Sequence, residues 1–311
     1  MQSGTHHRLA ALLALALLAA AAPACAAGVE GSFQRSLTVS GPAELDVKTG
    51  SGSIQLRSGE PGRMEIRGTI RAQRQWLPIG LGAEEKVRRL EQNPPIEQNG
   101  NRVRIGNVQD RELLRNVSIS YELVVPAETR LRSHTGSGSI TVSNISSEIA
   151  VSTGSGSIRL DAVKGSVRAA TGSGEIHGSG IAGAVVAVTG SGSIRLQQTG
   201  SGSVEATTGS GNVAVAGARA ALRLESGSGS LTAEGEPAGP WNIETGSGNV
   251  TVRLPTQPAF DLYARSGSGQ VSVDHPLTPQ GKVSRKEVRG KVRGGGVLLD
   301  LSTGSGNIQV Q

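Results

Sequence analysis

Thr153-Gly154-Ser155-Gly156-Ser157-Ile158-Arg159-Leu160 is the phrase on which the reading of this chain turns. It recurs with small variations, in copies that begin at Thr49, Thr135, Thr153, Thr171, Thr189, Thr199, Thr208, Ser226, Thr245, Ser266 and Thr303. From Thr135 the steps are 18, 18 and 18, then 10 plus 9, then 18, 19 and 21. A fixed period of about 18 residues is the signature of a stacked-repeat architecture, and it outranks local propensity.

Stacked by their first residue, the copies show an apolar column five positions on: Ile54, Ile140, Ile158, Ile176, Ile194, Val213, Leu231, Val250, Val271 and Ile308. Two further on, Leu56, Val142, Leu160, Leu196, Val215, Val252, Val273 and Val310 form another, with Gly178 and Ala233 as its small members. Four and two positions before the phrase a second set alternates, from Leu45 and Val47 through Ile149 and Val151 to Leu299 and Leu301. Period 2 means a strand with one buried face, so each repeat predicts two short strands. Gly-Ser-Gly between them predicts a tight corner, with glycine expected because it accepts positive φ. Apolar parity shifts by one residue across that corner.

A strand pair this short cannot bury its apolar side alone. Rung stacked on rung at ~4.8 Å gives two continuous parallel sheets around a thin core, an all-β parallel β-solenoid. Parallel crossovers favour the right hand, and that hand is expected here. Ten repeat starts, with Thr199 as a half-rung, make a rod on the order of 45 Å long. Composition agrees: glycine is 45 of 311 residues but falls at repeat corners, and only six aromatics occur. A solenoid grows by adding rungs, so residues 28–311 are read as one domain. The net charge of +6 spread along a rod gives no footprint of nucleic-acid binding, and none is expected.

Residues 1–27 combine Arg8, an Ala/Leu run and Pro23-Ala24-Cys25-Ala26-Ala27, which reads as a secretory signal peptide cleaved after Ala26 or Ala27. Export to the periplasm or outer surface follows. The rival readings are an uncleaved anchor and lipidation of Cys25, the only cysteine. Between Thr49 and Thr135 the repeat lapses, and an insertion at about 71–116 carries one helical signal, with Ala83, Val87 and Leu90 on one face. Glu84 and Glu85 at its start and Arg88 and Arg89 near its end suit the helix dipole, and Pro94-Pro95 stops it. The insertion is expected to cap the edge or face of the early rungs. The functional alternative is a ligand groove beside Arg71, Arg74 and Trp76. At about 280–296 a basic hairpin is expected, carrying Lys282, Arg285, Lys286, Arg289, Lys291 and Arg293 against Glu287. It reads as a solvated hairpin extending from the rod or as a contact for an anionic surface, phospholipid or polysaccharide.

Catalytic and metal constellations are missing from the sequence. His134, His177 and His275 are scattered in the repeat, and Glu175 with His177 is one i, i+2 pair rather than a site. Calcium-binding β-rolls need aspartate where this phrase has Ile or Val. No Gly-Lys-Ser/Thr ending makes the glycines a phosphate loop, and no Gly-x-Ser-x-Gly spacing makes a nucleophile elbow. No catalytic residue, cofactor or metal is therefore expected.

With these columns in place, the chain resembles the bacterial putative-adhesin family of β-strand-repeat envelope proteins. The resemblance rests on the repeated phrase, on Val117-Ser118-Ile119-Ser120-Tyr121-Glu122-Leu123-Val124-Val125-Pro126, on the early helical insertion, and on Gly294-Gly295-Gly296 leading through Leu299-Asp300-Leu301 to the last phrase. It implies a secreted β-solenoid and brings no catalytic residues. The function expected is a non-enzymatic envelope scaffold or adhesin-like module that meets polysaccharide, an anionic membrane surface or a protein. The alternatives are an ice or crystal-surface binder using stacked Ser and Thr hydroxyls, and a β-helix polysaccharide enzyme. The row Gln55, Thr141, Arg159, His177, Arg195, Ala214, Thr232, Thr251, Ser272 and Gln309 lacks the clustered acids and bases such an enzyme needs. Asn307 to Gln311 is expected to leave an open strand edge, which predicts weak, salt-promoted end-to-end self-association.

Overall fold

A computed structural model describes residues 28–73, 82–108, 110–281 and 284–311 of the protein; the leader expected at 1–27, Cys25 included, lies outside them. Two sheets of 14 and 13 strands enclose the core. The front sheet collects strands that enter the Gly-Ser-Gly corners, and the back sheet collects those that leave them. Through the middle, rungs stack in sequence order. Arg130–Thr135, Ile149–Thr153, Val167–Thr171, Val185–Thr189, Val204–Ser210, Leu222–Ser228 and Trp241–Ser247 pair in parallel across the front sheet. The back sheet repeats the pattern from Ile140–Ser143 to Val250–Arg253.

The predicted columns form the core. Ile149, Val167 and Val185 stand in line in one sheet, Ile140, Ile158 and Ile176 in the other, all buried. A further inward column was not foreseen: Ile145, Val163, Ile181 and Ala218 close the opposite corner. The Thr199 phrase lies at that opposite corner, between Ile194–Gln198 and Val204–Ser210, as a half-rung should. Gln198 is buried there and donates Nε2 to the carbonyls of Gly183 and Gly202, at 2.8 and 3.0 Å.

Gly248 and Gly306 carry the positive φ expected of the Gly-Ser-Gly corner, at 152° and 150°, but most of the corners need glycine for a different reason. Gly138, Gly156 and Gly174 are not among the positive-φ residues. A Cβ on Gly156 would sit 1.9 Å from the carbonyl oxygen of Gly138 on the rung before it, and the clash recurs rung after rung. Glycine is selected by the close approach of stacked backbones. The phrase's first residue completes the corner. Thr153 Oγ1 accepts from the Gly156 N–H at 3.1 Å and donates to the Gly138 carbonyl at 2.9 Å. Thr171 and Thr189 do the same, each one rung further on.

Both ends depart from sequence order. The strands Glu44–Thr49 and Ile54–Gly59 form a rung that slots between the Thr135 rung and an outer pair, Arg102–Ile105 and Val117–Pro126. Antiparallel strands Arg63–Ala72 and Val29–Thr38 then extend the back sheet. Helix α1, Ala83–Gln92, packs on those two strands through Val87 and Leu90, where Gly31 leaves room for Val87. Lys86, unforeseen on the buried face, donates Nζ to the Arg115 carbonyl at 2.9 Å. A second short helix, α2, Arg111–Leu114, is capped by Asp110.

At the other end the last rung is interior. Val297–Ser305 lies between Trp241–Ser247 and Phe260–Ser266, and Ile308–Val310 lies between Val250–Arg253 and Val271–Val273. The edge expected at Asn307 to Gln311 is therefore filled on both sides, because the chain runs one rung further at Ser266 and then returns into the gap. The back sheet ends instead at Val271–Val273, whose valines are half-buried. The basic hairpin likewise does not project from the rod. Its strand Glu287–Val292 adds antiparallel to Phe260–Ser266, burying Val288 and Val292, and Leu277–Pro279 adds beyond it.

Candidate functional site

The corner ladder is spent on the fold. Thr135, Thr189, Thr208 and Thr245 are 2% exposed or less, so the threonine half of the stacked hydroxyls faces inward. Among the described residues no group of three His, Cys, Asp or Glu side chains is placed to hold a metal. Glu175 turns to Arg195 on the next rung at 3.5 Å rather than to His177. His134 Nδ1 meets Ser152 Oγ at 2.9 Å.

Of the residues singled out in the sequence, Arg71 and the described hairpin cations lie at opposite ends of the rod. Arg71 is an exposed member of Arg63–Ala72 whose Nε donates to Glu30 at 2.9 Å; Arg74 and Trp76 lie outside the described residues. In the hairpin, Lys282 is likewise outside them. Arg285, Lys286, Arg289 and Arg293 are exposed, and Lys291 is half-buried. Lys286 Nζ donates to the Gly267 carbonyl at 3.0 Å, and the Arg285 carbonyl accepts from the Val271 N–H at 2.8 Å. These last contacts tie the hairpin to the end of the rod.

A denser array of charge lies at the opposite end, on the outer face of the front sheet. Its strands run Arg102–Ile105, Glu44–Thr49, Arg130–Thr135, Ile149–Thr153 and Val167–Thr171 in that order. Register sets Arg104, Asp46 and Arg132 side by side, and beside them Arg102, Glu44 and Arg130. Arg102 Nε donates to Glu44 at 2.9 Å and Arg130 approaches the same carboxylate at 4.0 Å. The hydrogen-bonding Arg102 guanidinium, more than any other neighbour, holds the Glu44 carboxyl below its usual range. Glu148 is shared by Arg130 at 3.5 Å and Arg168 at 3.2 Å. Asp46 meets Lys48 at 3.6 Å, which leaves Arg104 and Arg132 with no ion pair among the described residues.

A cavity of about 100 Å³ opens between these side chains, and a broader depression of about 560 Å³ continues from Arg132 past Ser152 to Arg168. Sequence reasoning missed this face because Arg102 and Arg104 belong to the interruption, where no phrase fixes their column. Arg132 and Arg168 were readable, since both stand three positions before a phrase. Nearby, the Tyr121 hydroxyl is buried without a partner beside a cavity of about 230 Å³, and burial pushes its phenol up. Phe33 stands edge-on to the same ring, with centroids 6.3 Å apart.

Residues 98–311, from the Asn99 hairpin through the rungs from Thr135 to the last phrase, match one family model. The chain belongs to the Toastrack DUF4097 family. A search of curated proteins gives no match. Among solved structures the chain is similar to a "putative cell adhesion protein" from Clostridium sporogenes, at 13% identity and a TM-score of 0.19, covering 90% of this chain and 99% of that one. A "putative adhesin" from Bacteroides fragilis gives 12% and 0.38, covering 90% and 97%. A "putative lipid binding protein" from Parabacteroides distasonis gives 16% and 0.36, covering 90% and 96%. The family fits the resemblance read from the repeated phrase. At such scores the individual structures carry no argument about this chain's task.

Proposed function

We propose that this Toastrack chain is an exported, non-catalytic scaffold of the cell envelope whose outer sheet faces bind envelope polymers. Residues 1–27 serve as its signal peptide, and 28–311 as a single solenoid unit that incorporates the insertion at about 71–116 and the hairpin at about 280–296. The observation that carries the reading is the fate of the repeated polar groups. The corner hydroxyls bond to the backbone of the neighbouring rung, so the repeat builds the rod itself. What remains for a partner is two long faces of outward side chains, a shape suited to extended surfaces.

Expression of the full chain, followed by cell fractionation and intact-mass measurement, tests this. The expected product is cleaved after Ala26 or Ala27, or lipidated at Cys25, and sits with the envelope. The purified protein should leave pectin, alginate and glycosaminoglycans unshortened. An uncleaved cytoplasmic product, or turnover of any of those polymers, overturns the proposal.

A further inference from the structure

The arginine-bearing face of the front sheet is, we propose, a track for a linear acidic polysaccharide lying along the rod axis. This rests on the binding role proposed above and gives it a site, a direction and a ligand class. Three observations carry it. First, Arg104, Arg132 and Arg168 occupy one outward row on strands separated by one intervening strand each, which carry Asp46 and Ala150. In a stack spaced ~4.8 Å apart, that sets an arginine on the row about every 10 Å along the backbone, comparable with a disaccharide in an extended chain.

Second, charge on the face is unbalanced. Arg102, Arg104, Arg130, Arg132, Arg168 and Lys48 outnumber Glu44, Asp46, Glu148 and Glu97, the last of which stands opposite Arg104 in register. Glu44, Asp46 and Glu148 are already engaged by Arg102, Arg130, Arg168 and Lys48, and Arg104 and Arg132 form no ion pair among the described residues. The guanidinium fork matches a carboxylate bidentately, and it is weakly hydrated enough to give up water. Third, the depressions between these side chains are shallow and share Asp46 and Arg132, so they run on from one another along the rungs. A compact anion would need a closed pocket; an extended polymer carrying one carboxylate per disaccharide fits an open row. The hairpin strand Glu287–Val292 lies at the far end of the rod and takes no part.

The test uses the mature chain and hyaluronan oligosaccharides, which carry one carboxylate per disaccharide, followed by fluorescence anisotropy at low and raised salt. Binding should weaken as salt rises. The double variant R104Q/R132Q should lose about tenfold in affinity, the effect of two exposed ionic contacts. Both side chains are exposed and unpaired, so circular dichroism and melting should not change. The hairpin double variant R289Q/R293Q should bind as the parent does. Binding that ignores R104Q/R132Q, or no binding of hyaluronan at all, overturns the track. So does tighter, equally Arg104-dependent binding to phosphatidylglycerol vesicles, which would make the face a lipid contact. If hyaluronan fails while the protein still fractionates with the envelope, the track falls and the scaffold reading stands.

Discussion

The middle of the rod and its two ends are written in the same phrase and assembled by different rules. From Thr135 to Thr245 each rung lies on the one before it in sequence, because only about 18 residues connect successive corners and no other site is in reach. At the ends the connections are long enough to choose. The Thr49 rung is separated from the Thr135 rung by the whole helical insertion, and Arg102–Ile105 and Val117–Pro126 take the place outside it. The Ser266 rung is laid down first and the Thr303 rung then enters between it and Thr245. A repeated phrase therefore specifies a rung and its corner, while connection length decides which rungs become neighbours. Antiparallel strands close both sheets at the first end and the front sheet at the other, where the back sheet stops at the parallel strand Val271–Val273.

One substitution in one column, made in both regions, gives the largest expected contrast. Ile158→Asp sets a carboxylate at a fully buried position between two sheets, with rungs on either side. A loss of roughly 4 kcal/mol or more is expected, enough to unfold the neighbouring rungs. Val271→Asp alters the same column at the half-buried edge strand, where water reaches the new charge, and should cost far less. Thermal melting of the two variants decides it, and similar shifts would mean that the end is as closed as the middle.

A smaller effect is expected from the corner hydroxyl. Thr171→Val keeps the shape but removes the acceptor for the Gly174 N–H and the donor to the Gly156 carbonyl, both buried. Leaving two backbone groups without partners should cost about 1–3 kcal/mol, read as a lower urea midpoint with an unchanged slope. Ser157→Ala, two rows out on the exposed side of the corner, should stay within about 0.5 kcal/mol of the parent.

How much of this was legible follows from the parity rule. Positions four and two before the phrase point inward, and the same alternation carries on to the phrase's first residue. Thr153 was thus readable as an inward side chain. Its hydroxyl belongs to the buried side because it satisfies the corner backbone, not because the residue is apolar. Glycine's role was placed correctly and, at every corner but those of Gly248 and Gly306, explained by the wrong force, since sequence shows a residue without a Cβ but not the carbonyl of Gly138 pressed against it. The column Ile145, Val163, Ile181 was missed because Thr199 interrupts it and the spacing crosses a second corner. The position of the Thr303 rung was not legible at all, because the same phrase stands at every corner and carries no address. For the same reason the arginine row could not be assembled: Arg104 joins Asp46 and Arg132 only once Arg102–Ile105 is known to pair with Glu44–Thr49.

A small effect of the opposite sign separates backbone strain from packing inside the regular middle. At the opposite corner, Asn144, Ala162 and Gly180 occupy equivalent places on three successive rungs, with φ of 59°, 53° and 64°. Asparagine tolerates that left-handed region and glycine prefers it, but alanine is held there at a cost of roughly 1–2 kcal/mol by its own Cβ. Ala162→Gly should relieve this strain and give part back through the greater freedom of glycine in the unfolded chain, for a net gain of up to about 1 kcal/mol. Gly180→Ala is the reverse experiment one rung away. A Cβ there would meet Ala162 at 3.5 Å, an ordinary contact, so its penalty is conformational rather than steric. The two variants should shift the melting temperature in opposite directions. If Ala162→Gly is destabilising, the corner is held by the packing of the Ala162 methyl group, and the glycines and asparagines of this column are there for reasons other than φ.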